Sequence, residues 1–199
     1  MHTVHAEAWE MKRIGILLLA AGAGKRFGGN KLEALVHGKP MFLHALDLIE
    51  KQNVLQKVVV TGKKKIALEA EKREIKVAWN ESPEKGISYS IRLGMETLLE
   101  AEPMLDAVLF MVCDQPWLQY ETIKDLIHAH ACGIMAVSHH GKSGNPVIFS
   151  KKYFYELMHL SGDVGGRQVM NHHKEEVSYL KVFNKKELED IDLREQLEE

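Results

Sequence analysis

The sequence predicts a three-layer α/β/α domain with a mainly parallel central sheet. Three observations carry this: apolar runs of strand length, stretches of helical periodicity between them, and glycine-rich or polar segments where the runs stop. Ile14 to Leu19 is nearly all apolar, as a parallel strand covered on both faces requires. A glycine-rich segment, Gly22 to Gly29, follows it. Pro40 opens a helical pattern in which Met41, Leu43, Leu46, Leu48 and Ile49 form a broad apolar face.

Lys57 to Thr61 reads as a second strand stopped by Gly62, Lys63 to Glu74 as a solvated helix, and Ile75 to Ala78 as a short strand. Asn80 to Lys85 is a polar loop ending at Gly86, after which Ile87, Ile91, Met95, Leu98 and Leu99 recur at helical spacing. Asp106 to Val112 is the next strand and halts at Cys113-Asp114-Gln115-Pro116. Ile134 to Ser138 and Val147 to Ser150 are further strands around a turn at Gly141 to Asn145. Val177 to Val182 is the last strand, and a charged helix closes the chain.

Composition bounds the function. The 199 residues are 45% hydrophobic and 27% charged with a net charge of −2. A nucleic-acid partner calls for a clustered excess of Lys and Arg, so the balance points to small anions instead. The two cysteines, Cys113 and Cys132, form no CxxC pair, which excludes a disulfide framework and suits a reducing cytoplasm. No apolar run reaches the roughly 18 residues of a membrane span. Met1 to Glu10 carries two histidines and no apolar core, so it reads as a tag or disordered leader rather than a signal peptide. Residues 11–199 are then one domain.

In open α/β sheets, ligands bind beyond the carboxyl ends of the strands. Three marked segments lie at such ends: Gly22 to Lys31, Asn80 to Ser90, and Asp114 to Pro116. In the first, Ala20, Ala21, Gly22 and Gly24 let the backbone approach a ligand closely, and Arg26 and Lys31 add cations suited to a triphosphate. The segment is neither a dinucleotide fingerprint, because Phe27 occupies the third glycine position, nor a P-loop, because Arg26 follows Lys25. The bland alternative is a flexible strand–helix turn. Asp114 ends an apolar strand, where a lone carboxylate suits Mg²⁺ completed by water and substrate phosphates; an N-cap or turn role competes. Gly86, Ser88 and Ser90 open a helix whose N-terminus suits phosphate or ribose, with simple capping equally open. Cys113 reads as a small buried residue. The pairs His139-His140 and His172-His173 lack ligand spacing, since adjacent residues diverge.

Together these segments resemble the molybdenum-cofactor nucleotidyltransferase family, particularly its cytidylyltransferase branch. Leu19 to Lys31 is similar to that family's LAAGxxxRMGxxK loop, with Phe27 where methionine is usual. Asn80 to Ser90 resembles its N…G…S segment, and Cys113 to Pro116 its Asp-Gln-Pro element. Gly144-Asn145-Pro146-Val147 resembles a G-x-P-V strand start, and Gly162 to Arg167 a GDxGAR segment. Asp190-Ile191-Asp192 is similar to a terminal DIDTPED element, with Leu193-Arg194 replacing Thr-Pro.

The resemblance implies a Rossmann-like nucleotidyltransferase fold. It implies Arg26, Lys31 and Asp114 as catalytic residues, and Leu19, Ala20, Ala21, Gly22, Gly24, Asn80, Gly86 and Ser90 around the nucleotide. Asn145, Pro146, Gly162, Asp163 and Arg167 would face the acceptor, and Mg²⁺ would sit on Asp114, with Asp192 a second ligand. The implied reaction moves CMP from CTP to the phosphate of a molybdopterin-type cofactor, which a molybdenum hydroxylase apoenzyme could receive. The rivals are a guanylyl- or other nucleotidyltransferase acting on a sugar phosphate or another phosphorylated metabolite, and a non-catalytic cofactor chaperone.

Overall fold

The structure is a computed structural model describing residues 13–22 and 27–197; the Met1–Glu10 leader lies outside the described residues. In chain order the elements are β1 (Ile14–Leu19), β2 (Leu35–Val36), β3 (Lys39–Pro40), α1 (Met41–Glu50), β4 (Gln56–Thr61), α2 (Lys64–Glu71), β5 (Lys76–Trp79) and α3 (Ile87–Ala101). They continue with β6 (Ala107–Val112), α4 (Tyr120–Ala129), β7 (Ile134–His139), β8 (Lys142–Ser150), α5 (Phe154–Met158), α6 (Arg167–His172) and β9 (Val177–Lys181). One seven-stranded sheet has the order β5-β4-β1-β6-β8-β7-β9, and β2 pairs with β3 separately. Strand β8 runs antiparallel to both its neighbours, β6 and β7. The other pairs of the seven-stranded sheet are parallel.

Two apolar layers sandwich the sheet. On one face Ile14, Ile16 and Leu18 of β1 join Met41, Phe42, Leu46 and Ile49 of α1, Ile66 of α2 and Ile123 and Leu126 of α4. On the other, Leu17 joins Ile91, Met95 and Leu98 of α3, Leu157 of α5 and Val169 of α6. Period-two alternation along β1 thus feeds both layers. Gly94 lets α3 lie close to the sheet: a Cβ there would fall 2.1 Å from Leu17 Cδ1 and 2.7 Å from Val60 Cγ2.

Two expectations are corrected. The reversal between β7 and β8 is not Gly141 to Asn145 but the pair His140-Gly141, with φ of 46° and 80°, because His139 already pairs with Lys142. Positive φ at both central residues is the twist-matched hairpin geometry. Asn145 and Pro146 lie within β8 at an irregularity, where the partners step from Val137↔Gly144 to Ala136↔Val147, and their peptide bond is cis. Such a bulge accommodates a proline, which lacks an N–H for the ladder. The charged C-terminal helix does not form either; short 3₁₀ turns occupy Lys185–Leu188 and Arg194–Leu197. Tertiary contacts outweigh helix propensity there. Ile191 is fully buried, its N–H donates to the Asp114 carbonyl at 3.0 Å, and the buried Glu187 accepts from Thr122 Oγ1 at 2.5 Å.

Gly94→Val is expected to destabilise the protein by about 1–3 kcal/mol through overpacking between α3 and the sheet. Chemical denaturation measures it, and wild-type stability would show that α3 can retreat without cost.

Candidate active site

The carboxyl ends of β1, β4, β5 and β6 lie along one edge, and the marked segments converge there. After β1, the Ala20 N–H donates to the Val60 carbonyl at 2.9 Å, and Thr61 Oγ1 donates to the Ala20 carbonyl at 3.3 Å. Leu19, Ala20, Ala21 and Gly22 therefore leave the sheet over the end of β4. Gly24 and Arg26 lie outside the described residues. Phe27, where the described residues resume, is buried in the core. An aromatic ring in place of methionine thus anchors the chain just ahead of Lys31.

Four residues on, the buried Lys31 places its Nζ 2.8 Å from Asp114 Oδ2 and 2.8 Å from Asp192 Oδ1. Burial alone would lower its pKa, but the hydrogen bonds and charges of Asp114 and Asp192 outweigh that and raise it above the ordinary lysine value. Asp192 is delivered by the extended C-terminal segment, docked through the Ile191–Asp114 backbone bond. The Gln196 side chain steadies it by accepting the Asp192 N–H at 2.6 Å. The sequence reading left out a third carboxyl here, Asp190. Burial and the nearby Asp114 charge push its pKa up, and Gln115 hydrogen-bonds it. Its place in the Asp190-Ile191-Asp192 pattern was the available signal. Asp114 Oδ1 is buried with no hydrogen-bond partner. An acceptor left unsatisfied inside a protein is costly, and a divalent cation would satisfy it, so the donor set fits Mg²⁺.

Asn80 and Ser90 form an internal brace. Asn80 is 1% exposed, donates from Nδ2 to Ser90 Oγ at 2.9 Å, and accepts the Ser82 N–H at Oδ1. They shape the loop before α3 from within. Gly86 (φ 89°) opens α3, and a Cβ there would meet the Gly162 carbonyl oxygen at 2.6 Å. That closeness is used: Ser88 Oγ donates to the same carbonyl at 2.6 Å, and the Ile87 N–H donates to Asp163 Oδ1 at 3.3 Å. Gly162 and Asp163 thus clamp the expected acceptor side to the start of α3.

Between these parts lies a cavity of about 560 Å³. Leu19, Ile91, Phe110, Val147, Phe149 and Met170 give it apolar walls, and Ser143, Asn145, Asp163 and Arg167 its polar groups. Pro146 stands beside it in the β8 bulge. Cys113 is buried, and burial with the Asp114 charge pushes its thiol pKa far up, so it is no nucleophile.

The histidine expectation needs correction. Adjacent His172 and His173 converge, donating or accepting at 2.7 and 2.8 Å on the two oxygens of Glu156, because α6 ends between them. His173, Glu175 and Glu176 could in principle gather round a metal. However, both glutamates are exposed, and Glu176 is paired with Lys152.

This fold and edge site define a nucleotidyltransferase-type α/β domain. The chain belongs to the MobA-like NTP transferase domain family, which matches residues 16–177. It is 31% identical over 80 residues to the probable molybdenum cofactor guanylyltransferase of Thermococcus gammatolerans, covering 39% of this chain and 42% of that protein. The bifunctional protein GlmU of Francisella philomiragia is 30% identical over 117 residues, 57% of this chain and 25% of that protein. The chain therefore spans less than half the length of either curated relative. Among solved structures, Rv0371c from Mycobacterium tuberculosis superposes with a TM-score of 0.77 at 24% identity, covering 94% of this chain and 100% of that one. A nucleotidyl transferase from Methanothermobacter gives 0.77 at 16% identity, covering 92% and 93%. Both show the shared fold.

Lys31→Met should cost about 1–3 kcal/mol, less than breaking a fully buried pair, because Asp114 and Asp192 are partly solvated. Lys31→Arg should cost less. Equal urea midpoints for Lys31→Met and wild type, with equal slopes, would show that the carboxylates need no internal cation.

Proposed function

We propose that this chain transfers a nucleotidyl group from a nucleoside triphosphate to the phosphate of a small acceptor, with release of pyrophosphate. The observation that carries the reading is Lys31 held between Asp114 and Asp192, the first just beyond the end of β6. The favoured donor is CTP, on the resemblance of the three marked segments together to the cytidylyltransferase branch. GTP is the second reading, because an archaeal relative carries a guanylyltransferase name. The favoured acceptor is a molybdopterin-type cofactor. Apolar walls with a few polar groups suit a fused ring system with a hydrogen-bonding edge better than a bare sugar phosphate. A cytoplasmic setting, with delivery to a hydroxylase apoenzyme, is part of the proposal. Two free cysteines agree with it, and among the described residues no helix is long and apolar enough to cross a membrane.

Asp114 and Asp192 would hold Mg²⁺, which when bound supplies neutralisation of phosphate charge. In the proposed reaction, backbone N–H groups beyond Ala20, from Ala21 to Gly24, receive the triphosphate, and Arg26 and Lys31 neutralise the phosphates that leave. Asn145 and Arg167, facing the cavity, orient the acceptor. An acceptor phosphate oxygen attacks the α-phosphorus, the bond to the bridging β-phosphate oxygen breaks, and pyrophosphate departs with that electron pair. A phosphate nucleophile is already anionic near neutral pH, so the step needs no general base. Positioning and charge stabilisation carry the rate.

The test is pyrophosphate release with molybdenum cofactor as acceptor, comparing CTP, GTP, ATP and UTP with Mg²⁺. Release with CTP alone is the expected result, release with GTP alone would move the donor to guanosine, and none with any nucleotide would overturn the reading. Asp114→Asn should lower turnover by about a hundredfold or more, several kcal/mol of transition-state stabilisation. Near-wild-type turnover at saturating Mg²⁺ would remove Asp114 from the chemistry.

A further inference from the structure

Leu193-Arg194 is where the chain departs from the terminal DIDTPED element, and Arg194 reaches back onto the nucleotide loop. Its Nε donates to the Phe27 carbonyl at 3.3 Å and its Nη2 to the Gly28 carbonyl at 3.5 Å. Its Cζ stands 5.3 Å from the centre of the Phe27 ring. Gly29 makes room for it: a Cβ there would lie 3.1 Å from Arg194 Nη2.

The guanidinium is committed to little. Its bonds are long and go to neutral carbonyls, and among the described residues no carboxylate forms an ion pair with it. Arginine carries five N–H donors in a planar fork matched to phosphate oxygens. Lys31, on the other side of the same loop, is by contrast already matched to Asp114 and Asp192. Among the described residues at this loop, Lys31 is thus balanced by carboxylates, whereas Arg194 is left unbalanced. The unbalanced one is also held in place. Gln196 Oε1 accepts the N–H groups of both Asp192 and Leu193, at 2.6 and 2.7 Å, which fixes the backbone on the N-terminal side of Arg194.

We infer that Arg194 binds the triphosphate of the donor nucleotide, exchanging the Phe27 and Gly28 carbonyls for β- or γ-phosphate oxygens. This rests on the nucleotidyl-transfer reading and adds to it a phosphate ligand from the C-terminal segment. The same segment carries Asp192, so entry of the triphosphate would tighten that segment against the loop from both ends.

Calorimetric titration of wild type, Arg194→Ala, Arg194→Gln and Arg194→Lys tests the inference, using CMP, CDP and CTP, and the guanosine series in parallel, with Mg²⁺. Arg194→Gln keeps N–H donors for the loop carbonyls but no charge, which separates a structural pin from a phosphate ligand. The expected result is triphosphate binding weakened about tenfold in the Ala and Gln variants, or about 1.4 kcal/mol. The Lys variant should recover part of the loss, and the monophosphate should be unaffected. Equal losses for mono- and triphosphate, or wild-type triphosphate affinity in Arg194→Gln, would overturn it. Wild type that binds no nucleotide would overturn the nucleotidyl-transfer reading as well, whereas triphosphate binding indifferent to residue 194 would overturn this inference alone.

Discussion

The ammonium of Lys31 ties the edge of this molecule together. Its two carboxylate partners lie 83 and 161 residues away in sequence, one at the end of a central strand and one on the closing segment. A buried ammonium is tolerated only in company, so Lys31 draws the two partly solvated carboxylates, and the segments that carry them, to itself. The loop after β1 is fixed where Lys31 begins a 3₁₀ turn, with Phe27 buried just upstream. The end of β6 is fixed by Asp114, and the tail by Ile191 and Asp192. Asp114 Oδ1, buried without a hydrogen-bond partner, leaves this arrangement incomplete by itself.

A second junction joins two distant segments. The Gly162 carbonyl accepts from the buried Ser88, and Asp163 receives the free Ile87 N–H at the start of α3. Helix N-termini leave such donors unmet unless something nearby supplies an acceptor. Here it comes from the loop at Gly162 and Asp163, 76 residues on. Gly86 is what allows the approach, since any side chain there would strike that loop. The start of α3 and the loop at Gly162 therefore share one anchor, and a shift in either must be felt by the other.

Most of the sheet was legible because its signals are local. Apolar runs such as Ile14 to Leu19 and Asp106 to Val112 are buried on both faces and stop at glycine or at a polar turn. Convergence of the Gly22, Asn80 and Asp114 segments followed from the rule that strand ends share an edge. What stayed hidden depends on partners distant in sequence. Nothing local marks Asn80 and Ser90 as one another's hydrogen-bond partners. Nor could local sequence show that the Lys- and Glu-rich tail runs extended, since that is decided by Ile191 filling a core site and Asp192 meeting Lys31. The two histidines at the end of α6 were misjudged because regular geometry, which parts neighbours, ceases between them.

The reversed strand β8 explains how Ser143, Gly144 and Asn145 come to line a cavity on this edge at all. In a parallel sheet each strand brings its carboxyl end to the ligand crevice and keeps its beginning at the opposite edge. Because β8 pairs antiparallel with β6, with Phe110 opposite Val147, its opening residues arrive beside the carboxyl end of β6, next to Asp114. Those residues are Ser143 to Pro146, and they arrive in a bulge that disrupts the regular pleat. Asn145 can therefore line the cavity opposite α3, together with Leu19 at the end of β1. Had β8 run parallel, Asn145 and its neighbours would lie at the far edge of the sheet. Reversal of a single strand thus gives this edge a cavity wall that a fully parallel sheet would not supply.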